Sequence, residues 1–363
     1  MKIAVITPLY ALAGVPLAQI RFARALAARG HDVNLIIGYI PGEYNFESPK
    51  NLTTTIFEQK KVRGLLWPLV RYLQTEKPEV VFSAEDHLNV TVLIAALLAG
   101  FKGKISGSSR VTPFDTYSKT PFSKRWILKQ LAQIVNSRAD ALTCVSKDMV
   151  LQYQEVFHAA PHVCVYNIVD DSHSRNRMKE EVNHPWVLGR KSPLLIAAGR
   201  LAPWKGFDDL IEAMALLKVK CDARLLILGD GPERQCLQAL IDVRGLRKTV
   251  ELVGYVENPL KFFRQADVFV LSSLVEGLPN VLVEAMMCGC TPVATDCPTG
   301  PREVLNEGKY GYLVPVRDSK TMAEAIIKAI QGPIPKYLLD EAVVPFQENN
   351  VINQHFEILG IKG

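Results

Sequence analysis

The stretch Leu194-Leu195-Ile196-Ala197-Ala198-Gly199-Arg200-Leu201-Ala202-Pro203-Trp204-Lys205-Gly206-Phe207 decides the fold. Five apolar residues run unbroken into a loop bounded by glycines. From Phe207 to Val219 apolar residues then recur at helical spacing. A strand without polar alternation is buried on both faces, the habit of a parallel sheet covered by helices. The same unit repeats downstream. Arg224–Leu228, Val250–Val253, Val268–Leu271, Pro292–Thr295 and Gly311–Val314 read as strands. Pro232–Arg244, Pro259–Gln265, Asn280–Cys288 and Thr321–Ile330 read as the helices between them.

It also repeats upstream. Ile3–Ile6, Val33–Ile37, Val80–Phe82, Ile105–Ser108 and Ala141–Val145 read as strands, and Leu17–Arg29 as a helix stopped by Gly30. Residues 170–192 interleave Asp, Ser, His, Arg, Asn and Glu, as a linker does. The 363 residues therefore read as two doubly wound α/β domains, 1–170 and 171–340. The segment 341–363 reads as a terminal helix packing back on the first domain. Ligands of such sheets bind at the carboxyl ends of the strands, and between two domains the default site is the interdomain cleft.

Composition bounds the function. Apolar residues make up 48% and charged ones 22%, as in a globular protein with sizeable cores. Residues 1–170 hold 19 Lys/Arg against 13 Asp/Glu, whereas the remainder is near balance. A basic surplus in one half fits an anionic partner, such as a phospholipid surface or a diphosphate-linked acceptor, or simply a solvated face. No dense Lys/Arg run points to nucleic acid. The opening Met1–Ile6 resembles a signal peptide, but Thr7-Pro8 breaks it, so it reads as a first strand. The apolar run Leu88–Phe101 falls short of the roughly 20 residues a bilayer requires. Seven cysteines without a Cys-x-x-Cys pair read as buried thiols of a reducing cytosol, Cys288, Cys290 and Cys297 among them.

Three strand-to-helix loops carry chemistry. Gly199-Arg200 and Lys205-Gly206 place two cations where glycine lets backbone approach a ligand, a pattern for phosphate or for a solvated surface loop. Glu276-Gly277-Leu278-Pro279-Asn280-Val281 opens a helix, with Asn280 as a plausible cap and first-turn amides free for an anion. Carboxylates there would repel phosphate, so Glu276 and Glu284 are expected on hydroxyls; alone, Glu284 is an ordinary helix carboxylate. Thr299-Gly300-Pro301-Arg302-Glu303 presents a third helix start, and Gly229-Asp230-Gly231-Pro232 a tight turn. Together they imply a ligand with several phosphates and hydroxyls.

In order and spacing these residues resemble the retaining glycosyltransferases of family 4, which have two facing Rossmann-like domains (the GT-B fold). The resemblance rests on Gly199-Arg200, Lys205-Gly206, Gly229-Asp230-Gly231-Pro232, Gly254-Tyr255-Val256, Ser272-Ser273, and the E-x7-E pair Glu276 and Glu284. It implies that Arg200 and Lys205, with Gly199, hold the donor diphosphate and that Glu276 contacts the transferred sugar. It implies further that backbone at Leu278, Pro279, Asn280 and Val281 touches sugar and phosphate, that Glu284 binds ribose, and that Val256 lies near the base. In the N-terminal half it extends only to the opening strand, to Gly14, which it implies is a donor-binding residue, and to the stretch Leu26–Val33. Many relatives carry a His at the end of an N-domain strand; here Ile105–Arg110 has none. His87 is the nearest substitute, and Arg110 is a candidate for an acceptor phosphate.

The resemblance implies a transferase using a nucleotide-sugar as substrate, with no essential metal and no resident cofactor. A Cys-Pro-Thr-Gly-Pro-Arg-Glu stretch like Cys297–Glu303 points to a UDP-hexose or UDP-N-acetylhexosamine. The acceptor is expected to be a saccharide, in a lipid-linked form if the basic half meets the inner, cytoplasmic face of a membrane. A nucleotide-sugar 2-epimerase and a non-catalytic sugar-nucleotide-binding module share the architecture. A dehydrogenase is disfavoured, since no Gly-x-Gly-x-x-Gly follows the opening strand.

Overall fold

The computed structural model describes residues 1–11, 14–42, 46, 48, 52–157 and 162–361. Seven parallel strands form the first sheet: β1 (Lys2–Thr7), β2 (Asp32–Ile37), β3 (Thr53–Ile56), β4 (Val80–Ala84), β5 (Lys104–Ser109), β6 (Ala141–Cys144) and β7 (His162–Cys164). Their spatial order is β3-β2-β1-β4-β5-β6-β7. Six parallel strands form the second: β8 (Leu194–Ala198), β9 (Arg224–Leu228), β10 (Val250–Gly254), β11 (Val268–Leu271), β12 (Thr291–Thr295) and β13 (Tyr312–Val314). Their order, β10-β9-β8-β11-β12-β13, repeats the first sheet's logic.

In both sheets the chain winds outward one way from the first strand and then returns to continue on its other side. The switch points lie between β1 and β4 and between β8 and β11. There the loops leaving adjacent strands diverge and open a crevice at the strand carboxyl ends. The strands are apolar on both faces, as their unbroken runs required: Ile3, Val5, Leu195, Ile196 and Leu225 are all fully buried.

Two compact units result, Met1–Ile168 with Glu348–Gly363, and Val169–Gln347. The division differs from the sequence boundaries at the C-terminus. Lys336–Val343 is a helix of the second unit, and only the helix Glu348–Ile358 joins the first. Val351, Ile352 and Phe356 enter the first unit's core, and Arg29 fastens the helix through Asn349 and Asn353 at 2.8 Å each.

The polar stretch 170–192 is not a linker. It forms the short helices Ser172–Arg177 and Pro185–Leu188 of the second unit. Asp171 caps the first by accepting from the Ser174 amide at 2.6 Å, and the His184 ring caps the second at Trp186. Two of its polar residues are helix caps, and Arg175 pairs with Asp170 at 2.5 Å. Two strands escaped the sequence pattern. β3 is a threonine-rich edge strand, and β7 is three residues long.

Candidate active site

At the β8/β11 switch point the two loops are stitched together. Gly206 has φ +60°, and a Cβ there would lie 2.1 Å from the carbonyl oxygen of Ser272, so only glycine lets the backbones approach this closely. The Leu274 amide donates to the Trp204 carbonyl at 2.8 Å, and the Ser272 hydroxyl to the Lys205 carbonyl at 2.9 Å. Lys205 is thereby fixed by its backbone, and its Nζ reaches Glu276 Oε1 at 2.5 Å. Ser273 Oγ donates to the same oxygen at 2.6 Å. Both charges are largely withdrawn from solvent, with 18% of the Lys205 and 11% of the Glu276 side chain exposed. The Glu276 loop is held from its other side too: Thr299 Oγ1 donates to the Glu276 carbonyl and Thr295 Oγ1 to the Ser273 carbonyl.

Arg200 lies exposed in the β8 loop and makes no hydrogen bond or ion pair among the described residues. The Gly229–Pro232 turn supports this loop: the Leu201 amide donates to the Asp230 carbonyl and the Glu233 amide to the Leu201 carbonyl, both at 3.0 Å. A Cβ at Gly231 would collide with Leu201 backbone at 2.4 Å. A motif that reads as a simple turn therefore sets the height of Arg200. Gly199 donates to Leu228 and Gly229 to Gly254, so the ends of β8, β9 and β10 converge, with Val256 two residues beyond.

The helix Asn280–Cys288 begins at Asn280, and its cap is Pro279 rather than Asn280. Asn280 is already the first helical residue, and its amide closes a tight turn at Pro279 onto the Leu278 carbonyl at 2.9 Å. No side chain caps this first turn. Leu278 and Glu284 are buried. The Thr299-Gly300 loop presses on it: a Cβ at Gly300 would lie 2.5 Å from Pro279 Cδ, and Thr299 sits at φ +62°, a strained conformation for a β-branched residue. Arg302 points elsewhere, onto Asp296 and Glu307.

One neighbour escaped the sequence. Arg234, first residue of the helix Arg234–Val243, donates through Nη2 to the Leu252 carbonyl at 3.0 Å; its buried Nη1 has no partner and would lie 3.8 Å from a Cβ at Gly254. The three clustered cysteines are buried. Cys288 and Cys290 donate to the carbonyls of Leu260 and Phe263, and burial pushes the Cys288 and Cys297 thiols up to about 12.

In the first unit, Gly14 opens the helix Gly14–Ala28 at φ +60°. At the end of β4, Glu85 adopts φ +81° and pairs with His87 at 3.2 Å. Burial raises the Glu85 carboxyl against the pull of His87 and Arg110. Arg110, just past β5, keeps Nε and Nη1 out of solvent without hydrogen-bond partners, and burial lowers it to about 10. The sequence singled out His87 and passed over its neighbours. Asp86 is buried and accepts from Ser109 at 3.0 Å and from Tyr117 and Tyr153 at 2.8 Å each. Burial nevertheless raises its carboxyl. Asp86 thus locks the β4–β5 corner from which Glu85, His87 and Arg110 project.

Two family descriptions match nearly the whole chain: Glycosyltransferase Family 4 over residues 14–173 and Glycosyl transferases group 1 over residues 178–342. The N-acetylgalactosamine-N,N'-diacetylbacillosaminyl-diphospho-undecaprenol 4-alpha-N-acetylgalactosaminyltransferase of Campylobacter jejuni is 30% identical over 237 residues, 65% of this chain and 62% of that protein. The N-acetyl-alpha-D-glucosaminyl L-malate synthase of Bacillus anthracis is 24% identical over 314 residues, 85% of this chain and 82% of that one. Anabaena HepE, solved in complex with UDP, shares the fold with a TM-score of 0.76 at 18% identity, over 99% of this chain and all of that one.

Proposed function

The chain belongs to the GT4-type glycosyltransferases, and on that premise we propose that it moves a hexose or N-acetylhexosamine from a UDP-sugar to a lipid-linked saccharide, with retention and without an essential metal. The observation that carries this reading is the Lys205–Glu276 pair, pinned at the β8/β11 switch point beside Arg200. Lys205 spends one N–H on Glu276 and keeps two for a diphosphate. Arg200 adds a planar fork for phosphate oxygens. The turn at Leu278, Pro279, Asn280 and Val281 offers backbone for sugar and phosphate, with the Leu278 and Val281 amides as its donors, and Glu276 and Glu284 accept from sugar and ribose hydroxyls. Val256 and Arg234 flank the base. HepE in complex with UDP and with UDP-glucose supports the choice of nucleotide.

In the reaction the acceptor oxygen bonds to the anomeric carbon on the face the diphosphate leaves. The bond from that carbon to the phosphate oxygen breaks, and the acceptor's proton passes to the departing phosphate. Charge on the leaving diphosphate is stabilised by Arg200 and Lys205, fixed before the reaction begins. No protein base is required, which accommodates the lack of a His in Ile105–Arg110.

The acceptor half of the reading rests on the first unit. Of the helix Lys124–Val135 only Ala132 and Val135 are buried. Ile127, Leu131 and Ile134 share an outer face, Ile134 being 71% exposed, and Phe122 beside them is 85% exposed. Lys119, Lys124, Arg125 and Lys129 adjoin these residues in sequence, and Lys124 shares their side of the helix. Cations around exposed apolar residues suit shallow insertion at an anionic bilayer, each cation adding about 1 kcal/mol. Among the described residues no helix is long and apolar enough to cross a membrane. The diphospho-undecaprenol substrate in the Campylobacter jejuni relative's name supports a lipid-linked saccharide. Arg110 then meets the acceptor's phosphate.

The test is nucleotide release from a panel of UDP-, GDP- and ADP-sugars, with and without membrane extract, followed by NMR of the product anomer. Acceptor-dependent release of UDP with an α product is expected. Release of UDP without acceptor would favour an epimerase, and a β product would require a protein base.

A further inference from the structure

Within the apolar run Leu65–Val70, the side chains of Leu65, Leu69 and Val70 are buried. Trp67 is the exception. It stands 70% exposed on the first turn of the helix Leu66–Glu76, at the rim of a cavity of about 690 Å³. The cavity is a groove between that helix and the edge strand β3. Thr53 and Thr55 project into it from one face of β3, and Asn34 from β2 shares hydrogen bonds with Thr55 at 3.0 and 3.2 Å. Trp67, Arg71 and Thr75 are spaced four apart and share one helix face on the opposite wall. The Arg71 guanidinium makes no hydrogen bond or ion pair among the described residues. Tyr72 lines the groove at 6% exposure, with its hydroxyl beside Asn34.

We propose that this groove is a second saccharide site, holding sugar units of the acceptor chain remote from the reacting end. Sugars present apolar C–H faces edged by hydroxyls. The groove offers an exposed indole for the face, and Thr hydroxyls, a free guanidinium and the Tyr72 phenol for the edges. Its direction supports the same occupant. Trp67 and Phe57 lie at the carboxyl end of the sheet, the end where ligands of such folds bind. Glu76, paired with Lys2 at 2.7 Å, marks the opposite end. A glycan emerging at the strand carboxyl ends would run down the sheet edge. The inference depends on the acceptor being a saccharide chain and goes beyond it in naming where the chain's remote units rest.

The full chain is titrated without donor against maltotetraose, chitotetraose and mannotetraose, with binding followed by calorimetry and indole fluorescence. At least one tetrasaccharide is expected to bind in the millimolar range, with the matching monosaccharide binding at least tenfold more weakly. Trp67→Ala should weaken the tetrasaccharide at least tenfold and Trp67→Phe less than threefold, since Phe keeps an aromatic face. Lys205→Ala should lower transfer at least ~100-fold yet retain tetrasaccharide binding, separating this site from the donor site. The proposal falls if no tetrasaccharide binds, or if Trp67→Ala leaves binding unchanged. It falls equally if Trp67→Ala instead removes binding to phosphatidylglycerol vesicles, which would make Trp67 a membrane anchor.

Discussion

Breaking the Lys205–Glu276 pair separates scaffold from chemistry. Two unit charges 2.5 Å apart attract by about 6–7 kcal/mol at an effective dielectric near 20, before desolvation is subtracted. With both side chains more than four-fifths buried, removing one partner strands the other. Lys205→Ala is expected to cost about 3 kcal/mol of stability, the lower edge for a broken buried pair because some solvent reaches the site. It should also lower kcat by ~100- to 1,000-fold, the cost of losing one preorganised donor to developing charge. Glu276→Gln keeps the Ser273 hydrogen bond and relieves the stranded charge. The double variant Lys205→Ala/Glu276→Gln should therefore recover about 1–3 kcal/mol relative to the sum of the single variants, while its kcat stays at the Lys205→Ala level or below. Urea melts and a coupled UDP-release assay read the two quantities on the same preparations. A double variant with near wild-type turnover would show that Lys205 serves only to neutralise Glu276, and the phosphate role would be abandoned.

Other expectations follow from the same geometry. Arg200→Ala should cut kcat/KM by ~100-fold with an unchanged melt, whereas Arg234→Ala should act mainly through donor KM; steady-state kinetics over a UDP-sugar series reads both. Activity should survive EDTA, and loss restored by Mn²⁺ or Mg²⁺ would reassign the neutralisation of the leaving group. Burial first, and Arg110 second, lower His355 from its usual 6.5 to about 3. The folded pKa is depressed, so this contribution is complete above 6.5 and is lost as pH falls from 6.5 towards 3. The loss should approach about 1.4 kcal/mol per pH unit in that window. His355→Gln should flatten that part of the urea-midpoint profile, and an unchanged slope would show that His355 is solvated. Binding to anionic liposomes should rise with anionic lipid, fall with salt and weaken in Phe122→Ser/Ile134→Ser; full binding by that variant would move the membrane face elsewhere.

The sequence determined by itself what is local and periodic. Unbroken apolar strands such as Leu194–Ala198 and Val268–Leu271 can only be buried on both faces, so the two doubly wound sheets followed. The glycine-bounded loop with Arg200 and Lys205 was visible because glycine and cation patterns need no partner to be read. Elements whose residues look polar were not visible. β3 joins its sheet as a threonine edge strand, and 170–192 folds because Asp171 and His184 cap helices that no apolar period announces. Only the tertiary structure decided which charges meet. Lys205 and Glu276 lie 71 residues apart, and the stitch from Gly206 to Ser272 brings them together. Asp86, an ordinary helix-start aspartate in sequence, becomes the buried acceptor of three hydroxyls only when Tyr117 and Tyr153 close over it. Desolvation is a property of surroundings, and the surroundings of these groups come from distant segments that pack together on folding.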